Sequence, residues 1–167
     1  GHIPADSWVH DMRSGGGRIV GEACHLIDLI SYFTRSPVQA VVMNAMGPQT
    51  PENTDNASLL LRYENGSQGV INYFSNGSKG YAKERIEIYS LGRTAVIDNF
   101  RRTTGYDFKR INGGSRQDKG HFEQFRRFHL ALTEGSSPII PYEELINTSK
   151  VALAAITSLQ RGEWIEI

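Results

Sequence analysis

The chain has 167 residues, enough to bury a full core as one domain, and its 18 basic and 18 acidic residues balance to a formal net charge of +0. That balance gives no electrostatic footprint for nucleic acid or an anionic membrane surface, so neither is expected as a partner. No apolar run approaches the roughly 20 residues of a membrane-spanning helix, and a lone cysteine, Cys24, excludes an internal disulfide.

Gly15-Gly16-Gly17 opens the first predicted element, an amphipathic helix. Ser14 suits its N-cap, and the glycines permit an unusual backbone path and close approach of a ligand or another domain. Ile19, Val20, Ala23, Leu26, Ile27, Ile30 and Phe33 recur with helical period as one apolar stripe. At about 100° per residue, Gly21, His25, Asp28 and Tyr32 fall together on the opposite side. A solvent face favours Lys, Glu and Gln, so this set marks a face that something approaches closely. Cys24 reads as a buried or half-buried structural cysteine.

Arg35-Ser36-Pro37 ends that pattern, and Val38 to Met46 reads as a strand. A turn-rich loop follows, then strands at Ala57 to Tyr63 and Gly69 to Phe74, with Asn65-Gly66 as the turn between them. Further strands are predicted at Arg85 to Ser90, Thr94 to Asn99 and Tyr106 to Ile111. Tyr63, Tyr73 and Tyr89 are candidates for an open sheet face, with a buried sandwich or plain core packing as the alternative. Asp118 suits the cap of a helix running to about Thr133, with Phe122, Phe125, Phe128 and Leu132 on its core face and Gly135 as its stop. Pro141, Glu143 and Glu144 suit the start of a last helix that Gly162 ends, and Trp164 to Ile167 returns as an edge strand. A helix, several strands and then two helices predict an α+β fold: an antiparallel-rich mixed sheet with helices packed on one face.

The segment Gly-Gly-Gly-Arg-Ile-Val-Gly-Glu-Ala-Cys-His-Leu-Ile-Asp, residues 15–28, resembles the start of the C-terminal domain of the Gfo/Idh/MocA family of NAD(P)-dependent oxidoreductases. Two further stretches resemble that domain: Ile3 to Asp11, leading into the helix, and Lys119-Gly120-His121-Phe122-Glu123-Gln124-Phe125, opening the penultimate helix. The similarity therefore runs in order along essentially the whole chain. It implies a glyceraldehyde-3-phosphate-dehydrogenase-like domain over residues 1–167 that binds substrate and forms a homo-oligomer through its sheet face. The family's glycine-rich nucleotide turn and Glu-Lys-Pro segment have no match here, so the resemblance implies a separate N-terminal Rossmann domain. It also implies NAD or NADP in the full-length enzyme, with none held tightly by this chain and no turnover by this chain alone.

The implied reaction is hydride transfer from a secondary alcohol of a sugar, nucleotide-sugar or polyol. Such a reaction needs a base for the hydroxyl proton, and an imidazole titrates near working pH. His25 is the candidate catalytic residue. Arg18, Glu22, Asp28, Lys119 and His121 are candidate substrate-binding residues. The family often places an aspartate four residues before the histidine; Gly21 stands there, with Glu22 beside it. The five histidines are scattered, so no metal site is expected, and a cytoplasmic location is. Two alternatives remain: a non-catalytic sensing or assembly domain that keeps the fold, and a free-standing ligand-binding domain.

Overall fold

Leu59, Leu61 and Tyr63 turn to the same side of one strand, where each is 0–1 % exposed. That alternation sets the first sheet. In the computed structural model, which describes residues 3–4, 6–48, 50–109, 111–114 and 116–167, the chain folds as two compact units. One runs up to Asn76 and resumes at Ile140–Ile167; the other is Gly77–Ile139.

The first unit holds β1 (Val38–Ala45), β2 (Asn56–Tyr63), β3 (Gln68–Phe74) and β8 (Ile165–Glu166). They pair antiparallel in the order β3-β2-β1-β8, so the predicted edge strand is in place. Met43, Leu59 and Ile71 lie in register across three strands and are buried. Two helices, α1 (Cys24–Thr34) and α3 (Tyr142–Arg161), supply Ile27, Val151, Ala152, Ala155 and Ile156 to the same core. Leu60, Val70 and Phe74 point away from it and are exposed.

Two polar side chains of α3 fasten it to the sheet. Asn147 pairs with the main chain of Val38 through both ends of its amide. Ser158 accepts from the Met43 N–H at 3.1 Å and donates to the Glu163 carbonyl at 2.6 Å. Buried main-chain groups need such partners where no neighbouring strand supplies them.

Tyr63 does not belong to an open face. It is buried because its position in β2 shares the side of Leu59 and Leu61. Burial pushes its phenol up to about 12, against hydrogen bonds from Ser31 and Thr34. Tyr73 pairs with Ala57 in the register and faces the helices as well.

The second unit pairs β4 (Arg85–Ser90), β5 (Arg93–Asp98), β6 (Arg102–Tyr106) and β7 (Asn112–Gly113) antiparallel, in that order. The strands thus fall into two sheets within the α+β class. The strand expected at Tyr106 to Ile111 lies earlier: Asp107, at φ 59°, turns the chain and ends β6 at Tyr106. α2 (His121–Glu134) runs between left-handed Gly120 and Gly135. Asp118 sits outside this start and accepts from the Gly120 N–H at 2.8 Å. The face of α2 read as core is open instead. Phe122, Phe125, Phe128 and Leu132 are 82 %, 71 %, 53 % and 71 % exposed, because periodicity reports an apolar stripe without reporting what covers it.

Candidate functional site

The glycine triplet turns the chain into the first helix. Gly16 and Gly17 have φ of 69° and 76°, which a side chain would resist. A Cβ on Gly15 would lie 2.4 Å from the Trp8 carbonyl oxygen, so the close approach is to the chain's own 3-10 turn at Trp8–His10 and not to a ligand. Ser14 does not cap the helix: its hydroxyl donates to the Asp11 carboxylate at 2.6 Å. That bond, followed by one from the Arg13 N–H, holds the Asp11 carboxyl below its ordinary pKa.

Ile19–Ala23 forms a π-helical turn that runs directly into α1. A π turn takes up roughly one residue more per turn than an α turn. Residues spaced by four therefore stay in line across the junction, and Ile19, Ala23 and Ile27 are all 0 % exposed. On the other side Gly21, His25 and Tyr32 are exposed, while Asp28 is half-buried. A Cβ on Gly21 would meet nothing within 4 Å, so the fold itself does not require glycine there.

Arg18 is 3 % exposed and sits in a network. Its Nε donates to Glu22 Oε1 at 3.1 Å and its Nη2 to Oε2 at 3.0 Å. Its Nη1 lies 3.5 Å from Asp55 Oδ2, and its guanidinium lies 5.3 Å from the centre of the Tyr73 ring. The Tyr73 hydroxyl donates to Glu22 Oε2 at 2.8 Å. Burial works against the Arg18 charge, but the Glu22 hydrogen bond and the negative charges of Glu22 and Asp55 outweigh it and hold the guanidinium above its ordinary pKa. Burial, then the Glu22 hydrogen bond, pushes the Tyr73 phenol up.

The structure thus joins Arg18 to Glu22 and turns the Glu22 carboxylate toward Arg18 and Tyr73. Sequence reading missed Asp55 altogether, because it stands in a turn-rich loop, and left Tyr73 between an open sheet face and core packing, of which the second holds. His25 leaves the helix on its exposed side. Asp28, one turn on, has its carboxyl raised by burial and drawn back by the charge of His25. Burial also raises the Cys24 thiol, which fits a structural cysteine.

Lys119 and His121 belong to the second unit. The Lys119 ammonium pairs with Glu84 at 2.8 Å and lies 5.8 Å from the Phe100 ring centre. His121 is the first, exposed residue of α2. An open groove in that unit is lined by residues that include Ile97, Phe100, Arg101, Thr103 and Arg116, and by none of the sequence-predicted site residues. Among the described residues, no group of three His, Cys, Asp or Glu side chains is arranged to hold a metal, and no helix is long and apolar enough to cross a membrane.

The family model of the GFO/IDH/MocA C-terminal domain matches residues 1–96. The chain belongs to that family. No curated protein matches it in sequence. Among solved structures, this GFO/IDH/MocA domain is similar to an oxidoreductase from Thermotoga maritima, at 19 % identity and a TM-score of 0.76, over 100 % of this chain and 51 % of that one. It is similar to an aldose-aldose oxidoreductase from Caulobacter crescentus complexed with glycerol, at 14 % identity and a TM-score of 0.74, over 99 % of this chain and 52 % of that one. It also resembles the WlbA dehydrogenase from Bordetella pertussis in complex with NADH and UDP-GlcNAcA, at 18 % identity and a TM-score of 0.57, over 90 % of this chain and 45 % of that one. The chain spans about half the length of these structures, and the likeness at such identities is one of fold.

Proposed function

We propose that this domain forms the substrate side of an NAD(P)-dependent dehydrogenase acting on a secondary alcohol of a sugar, nucleotide-sugar or polyol, with His25 as its proton-handling residue. The observation that carries the reading is the exposed imidazole of His25 on a helix whose opposite side buries Ile19, Ala23 and Ile27, in a chain of this family. Gly21 supports it, since bare helix backbone one turn before His25 lets a ligand approach closely.

His25 accepts the hydroxyl proton as the carbinol C–H bond breaks, and returns it in the reverse direction. The chemistry that bound NAD or NADP would supply is acceptance of the hydride released from that carbon. A nucleotide-binding module beyond this chain holds the cofactor in this reading, because the sequence has no G-x-G-x-x-G run of the kind that cradles a pyrophosphate after a hydrophobic strand. Asp28 orients the imidazole. Arg18 and Glu22 shape the site through their mutual bond.

The uncovered face of the first sheet, with Leu60, Val70 and Phe74 exposed, is read as a homo-oligomer contact. The protein acts in the cytoplasm in this reading. A sensing role without turnover is the second reading, and the observation favouring it is Gly21 at the position where the family often has an acid.

The deciding experiment incubates the intact protein with NAD or NADP and a panel of aldoses, polyols and nucleotide sugars. Appearance of reduced cofactor with at least one alcohol is expected. Binding of cofactor and sugar with no reduction across the panel would favour the sensor.

A further inference from the structure

We propose that Tyr73 and Glu22 are positioning residues for His25: they clamp the π-helical turn Ile19–Ala23 and so set the direction in which the imidazole leaves the helix. The proposal rests on the reading of His25 given above.

A π turn is an uncommon path and persists where its surroundings over-determine it. Here the restraints come from three elements. The fork of Arg18 onto Glu22 spans the turn from its N-cap to its fourth residue. Tyr73 reaches from β3 to the same Glu22 carboxylate at 2.8 Å, and Asp55, from the loop before β2, fixes the other side of Arg18. Ile19 and Ala23, both fully buried, hold the inner side of the turn in the core.

Relaxing the turn to an α path would rotate everything after it relative to everything before it. Ile27 must stay in the core, so the adjustment falls on the exposed side, where Gly21 and His25 stand four residues apart. The carboxylate of Glu22 is a strut. It stands next to the position of the family's acid without taking its place, because its two oxygens already serve Arg18 and Tyr73.

Tyr73→Phe in the intact protein is the cleanest test, because it keeps the ring beside Arg18 and removes one hydroxyl. Glu22→Gln is the second variant, keeping the size and removing the charge. Amide hydrogen exchange over residues 19–25, the NMR spectrum and titration midpoint of the His25 imidazole, and steady-state kinetics are read together. Exchange over 19–25 is expected to quicken about tenfold while the amides of β1 and β2 keep their protection. The His25 resonances move, and kcat falls about tenfold with KM within roughly twofold. An unchanged His25 spectrum and unchanged exchange in both variants would overturn the proposal, as would a loss of protection spread over the whole sheet. His25→Asn separates the two readings: if it leaves turnover intact, the catalytic assignment fails, while exchange and the His25 environment in Tyr73→Phe still decide the clamp.

Discussion

Asn147 stands in for a missing strand at Val38. Its Oδ1 accepts from the Val38 N–H at 2.9 Å and its Nδ2 donates to the Val38 carbonyl at 3.0 Å. The short β8 pairs with β1 at Ala40 and Val41, and the Ile167 N–H next to it donates to the Gln39 carbonyl, so the return strand stops short of Val38 and the main chain there takes a partner from elsewhere. Asn147→Ala leaves both groups without that partner, and a loss of about 1–3 kcal/mol is expected in urea unfolding. A variant as stable as the wild type would mean that water replaces the amide without cost.

Arg18 is the charge most deeply enclosed in the first unit, with Glu22 and Asp55 as its anions. Replacing one partner of such a group leaves the rest uncompensated, so Arg18→Met is expected to cost about 3–5 kcal/mol. Arg18→Lys does not restore the wild type, because an ammonium cannot reproduce the two-pronged bond to Glu22. Chemical denaturation of the two variants checks this, and full stability of Arg18→Lys would contradict it.

Tyr63 predicts an alkaline signature. Its phenol ionises near 10.0 in the unfolded chain and near 12 in the folded one. Between those values the folded state holds a proton that the unfolded state has lost, so stability falls as pH rises from 10.0 towards 12. Tyr63→Phe removes this contribution, and the stability difference between the two proteins changes across that window in favour of the variant. A difference that stays flat with pH would contradict the burial of the hydroxyl.

The open stripe of α2 predicts the opposite of a core. Phe125 is 71 % exposed, so Phe125→Ser in this chain is expected to change stability by no more than about 0.5 kcal/mol. Thermal melts of the 167-residue chain test it. A loss in the range of about 3–5 kcal/mol, typical of a buried phenylalanine, would place the helix against a core.

Features set by local pattern were legible in the sequence. Alternation announced β2, and Asn65-Gly66 announced its turn, because both signals arise within a few residues. Gly162 marked the end of α3 for the same reason, adopting φ 68° there. The π turn was illegible, since a wheel drawn at a constant angle assumes the α path that Ile19–Ala23 does not take. Asn147 to Val38 and Tyr73 to Glu22 were illegible for another reason. Each joins residues far apart in the chain through polar groups that carry no periodicity. The stripe on α2 was legible as a stripe, but its surroundings were not. At the site, the face bearing Gly21 and His25 followed from spacing, and the bonding of Arg18 and Glu22 to Asp55 and Tyr73 did not.

The proposed role of His25 is tested most directly by the turnover of His25→Asn in the intact protein, supplied with NAD or NADP and whichever alcohol of the panel the wild type is found to oxidise. The asparagine keeps a polar side chain of similar reach and cannot cycle a proton near neutral pH. A fall in kcat of about 10²–10⁴-fold is predicted, with cofactor binding unchanged. Wild-type turnover from that variant would contradict the account.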